Sequence, residues 1–187
     1  KSEFGPDISV VVTGDHGEGF WDHASFDAEH FQDSRPAYCV GHGGTPYESI
    51  VRVPILTNDS DLSPFDERSS LVDVAPTILD SLGVSVPDPM SGERPDSASR
   101  ERPLLTEASR YGYEKKAMYD SDWKLIISKG DDSAVDFELP EEQVSRMPTS
   151  IRSELEAALP TWPDEEGPRG DGVNDTVQRR LENLGYK

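Results

Sequence analysis

Three kinds of hydrophobic pattern follow one another along the chain. Residues 8–13 (ISVVVT) form a continuous apolar, β-branched run, which predicts a strand buried on both faces of a parallel sheet. The run ends in GDHGEG, residues 14–19, where glycines permit a sharp turn. Residues 20–46 are aromatic, acidic and histidine-rich without sustained periodicity, and read as a long loop of the kind that usually carries function. A second short strand is predicted at 53–57 (VPILT), with Pro54 at an edge or bend. The best helix runs from Leu71 to Leu82. Leu71, Val74, Ala75, Ile78, Leu79 and Leu82 form one stripe, with Asp73 as a cap, Pro76 in the first turn and Gly83 as the stop.

Past a Pro- and Ser-rich connection at 85–103 the period changes from helical to two. Leu104–Ala108, Lys116–Tyr119 and Trp123–Lys129 read as short strands, with Asp120, Ser121 and Asp122 as a hairpin turn. Residues 130–172 are mostly polar, with one weak amphipathic helix at 151–159. A last helix is predicted at 175–184, where Val177, Leu181 and Leu184 share a face. The expected architecture is α/β over residues 1–103, followed by a small α+β unit over 104–187: an antiparallel sheet and a terminal helix.

Charge narrows the partners. The 187 residues carry 37 acidic and 18 basic side chains, a formal net charge of −19. Such a balance repels nucleic acid and anionic membranes, and no apolar run reaches the length of a membrane span. The acids are spread evenly and lysine is scarce, which fits a hydrated acidic surface suited to high salt and a salt-adapted source. A single cysteine, Cys39, rules out an internal disulfide and a thiolate zinc site, and it reads as a small buried apolar residue.

The candidate chemistry lies in two glycine-framed turns. Asp15 and His16 directly follow the carboxyl end of a strand, the edge at which open α/β sheets bind ligands. A carboxylate and an imidazole side by side in such a turn can face one cation, although Mg²⁺ or Ca²⁺ needs further oxygen ligands. The second turn opens GHGGTPYESIVRVPI, residues 41–55, which leads through Tyr47 and Glu48 into a strand; LVDVAPTILDSLGV follows at 71–84.

These three blocks, in this order, resemble the C-terminal part of the sulfatase family within the alkaline-phosphatase-like superfamily. AMYDSDWKLIISK and VQRRLENLGYK resemble the strand pair and terminal helix that close such chains. The resemblance implies an alkaline-phosphatase-like partial sheet with helices. It implies Asp15 and His16 as ligands of a divalent metal, Ca²⁺ in the first instance and otherwise Mg²⁺, Mn²⁺ or Zn²⁺. It also implies His42 as a catalytic residue, placed where relatives contact the oxygens of a sulfate or phosphate ester. A Lys or a His holds that role in relatives, and Gly14 replaces their common Ser. The family's nucleophile, a Cys or Ser in a Cys/Ser-x-Pro-x-Arg block, is not found here, nor is its second pair of metal-binding Asp residues.

The expectation is therefore the C-terminal portion of a metal-dependent sulfuric ester hydrolase, inactive by itself, whose partner is the missing N-terminal half of the catalytic domain. That half would cover residues 8–13, which are expected to expose apolar surface without it. A phosphoester or phosphonate hydrolase or phosphotransferase of the same superfamily is the alternative, and a non-catalytic metal-binding fragment is a third reading. Other residues carry two readings each. Glu18 and Glu48 are either partners of His16 and His42 or plain surface residues. His23 and His30 belong to a solvated acidic loop or to a second metal site. Phe20, Trp21, Phe26 and Phe31 line a cleft or pin the loop. Arg52 reads as structural.

Overall fold

The period-two pattern after residue 103 builds the sheet on which the rest of the chain packs. The computed structural model describes residues 8–62, 65, 69–96, 103–120, 122–130, 134–139, 143–144 and 146–162. Within them, β5 (Leu104–Ala108), β6 (Lys115–Tyr119), β7 (Trp123–Ser128), β8 (Ala134–Glu138) and β9 (Gln143–Val144) form an antiparallel meander in that spatial order. Register is set by pairs such as Ala117 with Ile126 and Ile126 with Val135. The predicted helix at 175–184 lies outside the described residues.

Both faces of this sheet are covered, and the alternation of side chains decides which residue meets which cover. Ala117, Ile126, Val135 and Phe137 point to one face, where they pack with Phe31 and Tyr47 from the first half of the chain. Met118 and Leu125 point to the other, where they meet Met147 and Leu155. Leu155 belongs to α4 (Thr149–Ala158), the weak helix expected near 151–159. Strands β8 and β9 lie in the stretch 130–172, which reads as mostly polar and in which only a helix is expected. Asp136 interrupts the apolar run of β8 and hides it from the pattern. It is satisfied by Arg152 Nη1 at 2.6 Å on α4, a pairing invisible in local pattern.

Three buried lysines sit in the same sheet. Lys115 Nζ lies 3.1 Å from Asp33 Oδ2, Lys124 Nζ 3.1 Å from Glu48 Oε1, and Lys116 Nζ 3.1 Å from Glu107 Oε1. Lys115, Lys116 and Lys124 are at most 2% exposed. A buried ammonium is tolerated only with a close counter-charge, so Lys115 and Lys124 tie the sheet to two acids of the first half.

The first half departs from expectation in informative ways. The strand after Ile8 is only β1 (Val11–Thr13), and it pairs antiparallel with β4 (Ile55–Thr57), not within a parallel sheet. Nor is it buried on both faces: Ile8, Val10 and Val12 are 45–56% exposed, and Leu56, opposite Val12, is 67% exposed. The expected long loop contains β2 (Gly19–Phe20), α1 (Ala24–His30), a 3-10 turn at Pro36–Cys39 and β3 (Val40–Gly41), which pairs with β2. Helix α1 has seven residues and no side-chain cap, so neither period nor cap announces it. Glu48 opens a short helix, α2 (Glu48–Val51), before β4 rather than leading straight into a strand.

The helix predicted over 71–82 divides into a 3-10 turn at Leu71–Asp73 and α3 (Val74–Ser81), ended by Gly83 at φ +68°. Asp73 holds the N-cap position of α3, as expected, though without a side-chain cap bond there, and Ser70 caps the 3-10 turn before it. Asp73 closes a reciprocal capping box by accepting from the Ser70 N–H at 2.8 Å, and its other oxygen accepts from the Glu93 N–H. The predicted apolar stripe is half open, with Leu71, Ala75 and Leu82 exposed and Pro76 and Thr77 buried.

Lys124→Met tests the ion pairs between the halves. It leaves the Glu48 carboxylate without its ammonium in a largely dry site, and we expect a loss of about 3 kcal/mol in urea unfolding. Pairing it with Glu48→Gln should recover most of that loss.

Candidate functional site

Each side chain of the site is aimed by a turn whose backbone is constrained elsewhere. Gly17 presses its Cα against α2 and donates its N–H to the Ile50 carbonyl at 2.6 Å, leaving no room for a Cβ against the Ser49 carbonyl. This fixes residues 14–18 against the body. The pairing of Gly19 with Gly41 then sets Glu18 opposite His42 across β2 and β3. His42 is flanked by Gly41 and Gly43 at φ +85° and +89°, and a Cβ on Gly43 would meet Arg110 Cβ at 2.8 Å.

The three residues singled out from the sequence fall in one place. The His16 and His42 rings lie 3.7 Å apart between centroids, tilted by 30°. Asp15 Oδ2 is 3.7 Å from His16 Nε2. The His16 Nδ1 is 2.7 Å from the Gly17 carbonyl, so it carries the proton and leaves the Nε2 lone pair open. Asp15 accepts from the backbone N–H of His16 at 3.0 Å. Its own N–H and that of His16 hold its carboxyl below the usual carboxylate range, with the neighbouring imidazole adding to the effect. It therefore stays anionic, as a cation ligand must.

Two further residues join them. Glu18 Oε2 is 3.4 Å from His42 Nδ1, which makes Glu18 a neighbour of the imidazole as one of its two readings had it. Ligand atoms of His16, Glu18 and His42 lie within 4.8 Å of one another, and among the described residues this is the group of His and acidic side chains that could hold an ion. Two imidazoles and a carboxylate suit Zn²⁺ or Mn²⁺ at least as well as Ca²⁺, which takes oxygen ligands. Arg110, from the connection between β5 and β6, places Nη1 2.9 Å from His42 Nε2. Nothing in SRYGYEK marks that arginine; only the tertiary fold brings it here.

The remaining candidates have other roles. Glu48 accepts from Lys124 Nζ at 3.1 Å. His23 stacks on Tyr47 at 4.1 Å and His30 on Phe26 at 4.0 Å, so both act in packing. The four aromatic residues divide: Phe31 and Phe26 join the core, whereas Phe20 and Trp21 are 68% and 57% exposed next to Glu18. Trp21 holds φ +63°, a strained backbone for a bulky side chain and a frequent mark of functional turns. Arg52 is exposed at the end of α2.

Behind the site, buried Asp27 gathers α1, the loop after it and the 45–47 segment. It accepts from Ser34 Oγ, from Thr45 Oγ1 at 2.9 Å and from Tyr47 Oη at 2.8 Å. Cys39 borders this network. Burial, followed by the charge of Asp27, pushes its thiol up to about 11.

The fold is shared with a solved structure of sulfated-sugar chemistry. That structure is described as BT4656 in complex with its substrate D-glucosamine-2-N,6-O-disulfate; the match has a TM-score of 0.54 at 17% identity and covers 95% of this chain. The chain spans 34% of that protein's length. At this identity the likeness defines a fold, a partial sulfatase-like α/β arrangement with small antiparallel sheets. No protein-family model and no curated protein matches the sequence.

The raised Cys39 thiol gives a direct check. Thiolate is the reactive form, so at pH 8 iodoacetamide should modify Cys39 in the native chain at least roughly tenfold more slowly than in the urea-unfolded chain. Native reactivity should rise only as the pH approaches 11.

Proposed function

We propose that this chain is the C-terminal portion of a metal-dependent sulfuric ester hydrolase, with Asp15 and His16 as metal ligands and His42 as the residue that contacts the ester. The observation that carries this reading is the meeting of His16, Glu18 and His42 beside an ionised Asp15 at the end of β1. The shared fold supports it, since BT4656 acts on a sulfated glucosamine. A sulfated sugar is accordingly the substrate class we assign to the intact protein.

The residues present fit a divalent cation. Asp15 offers a permanent anion, His16 an open Nε2, and Glu18 a second carboxylate. When bound, the metal neutralises charge on the oxygens of the ester and of the attacking group. The protein side chains do the rest. Glu18 accepts from Nδ1–H of His42 and so fixes the ring orientation, with Nε2 on the side of Arg110. From there His42 steadies the ester oxygens and, once protonated at Nε2, delivers that proton to the departing alcohol. The nucleophile and the remaining ligands are assigned to residues beyond these 187, within the N-terminal half that completes the catalytic domain.

Adding Ca²⁺, Mn²⁺ or Zn²⁺ to the chain should raise its melting temperature, and Asp15→Ala should remove most of that rise. An equal rise in both proteins would refute ligation by Asp15. In the intact protein, His42→Ala should lower turnover of a sulfated glucosamine by roughly a hundredfold or more; faster cleavage of the matching phosphate ester would favour the phosphoester alternative.

The open apolar face of β1 and β4 is where we place the N-terminal half. Because Val12 and Leu56 are exposed, Val12→Asp should change stability by less than about 0.5 kcal/mol. It should also reduce self-association of the isolated chain in sedimentation velocity.

A further inference from the structure

Arg110 stands out among the charges near the site. In a chain of net charge −19, its guanidinium faces a histidine, and among the described residues no carboxylate pairs with it. Its other contacts are its own backbone N–H to the Gly43 carbonyl at 3.1 Å and the Tyr111 ring 5.2 Å from its Cζ. Among the described residues one of its five N–H donors finds a partner, and the side chain is exposed. Among the described residues its guanidinium meets an imidazole and no acid, so it could receive an anion from outside the fold.

Its placement is also built. Residues 110–113 are held from both ends: Tyr111 stacks on Tyr38 at 5.5 Å, and the Tyr113 N–H donates to Asp33. Asp33 is itself locked by buried Lys115. The lack of a side chain at Gly43 lets the Arg110 stem approach the His42 turn. Such preorganisation lowers the cost of ordering a long side chain on ligand binding.

We propose that Arg110 is the anion-gripping residue of this site and sets its specificity for esters whose tetrahedral oxyanion seats between the guanidinium and His42. The guanidinium fork matches two oxygens of such a group at once, which a lysine cannot do. The donation from Arg110 to His42 Nε2 is then a resting arrangement. An arriving oxyanion takes over the arginine donors and leaves Nε2 facing the ester. The inference rests on the reading of His16 and His42 as site residues, and it assigns the binding of charge to a residue outside that set.

The test uses inorganic sulfate and the 187-residue chain without added metal. Sulfate is titrated against chloride at equal ionic strength and fixed pH, following the ring C–H signals of His16 and His42, assigned with His16→Gln and His42→Gln. The expected result is a saturable shift at both rings. Arg110→Ala should weaken the apparent affinity at least tenfold, and Arg110→Lys should fall between. Arg94→Ala, which removes one positive charge elsewhere, should behave as the parent. Parent-like affinity in Arg110→Ala, or no saturable shift in the parent, overturns the proposal. A separate Mn²⁺ titration, read as broadening of the same signals, reports on the metal reading alone. Broadening with Arg110-independent sulfate binding would sink the arginine inference and spare the hydrolase reading. The reverse pattern would leave an anion site without the metal chemistry.

Discussion

Two ammonium groups with no access to water hold the chain together around its site. Lys124 meets Glu48 and Lys115 meets Asp33, each at 3.1 Å, and each pair joins the five-stranded sheet to a different part of the first half. From Glu48 the connection continues through α2 to Gly17, and so to His16 and Glu18. From Asp33 it continues through Tyr113 to Arg110. The groups around His42 are thus approached from two sides by scaffolding anchored in one buried sheet. Dry ion pairs are costly to desolvate and add little net stability, but they penalise any other pairing heavily. Here that penalty fixes the position of loops that have little hydrophobic surface of their own.

Much of the sheet was legible because alternation is a local signal. Leu104–Ala108 matches β5, and the hydrophobic residues of β6 and β7 alternate between two covers as a period of two requires. What escaped depended on partners distant in sequence. Strand β8 carries Asp136, which belongs in a sheet only because Arg152 reaches it, and α1 owes its existence to Asp27 and Phe31 rather than to propensity. The parallel, doubly buried strand expected after Ile8 was an inference from its unbroken apolar run, whereas antiparallel pairing with β4 leaves one face bare. Asp15, His16 and His42 were visible as candidates, the first two from their glycine-framed turn and His42 from the family resemblance, and the fold brings them together. Arg110 was not, since its role comes from 68 residues of chain separation closing onto one imidazole.

The electrostatics of the whole chain bear on the proposed ligand. A protein of net charge −19 repels an anionic ester at long range, so attraction must come from a short-range local device. Ionic strength weakens the repulsion between distant charges far more than it weakens a contact at hydrogen-bond distance. The proposed ester binding through one well-placed guanidinium is of that short-range kind. Phe20 and Trp21, at and just after the end of β2, add exposed apolar area to this part of the chain.

The burial of the lysines has one more consequence. Lys115, Lys116 and Lys124 are enclosed, and of the lysines described only Lys129 reaches the surface. The described part of the fold therefore offers few accessible primary amines to cross-linkers or acylating labels. Its outward positive charge is carried by guanidinium groups, which remain charged at every pH the protein could survive. Amine-coupling chemistry would report on unfolding of this sheet more faithfully than on its exterior.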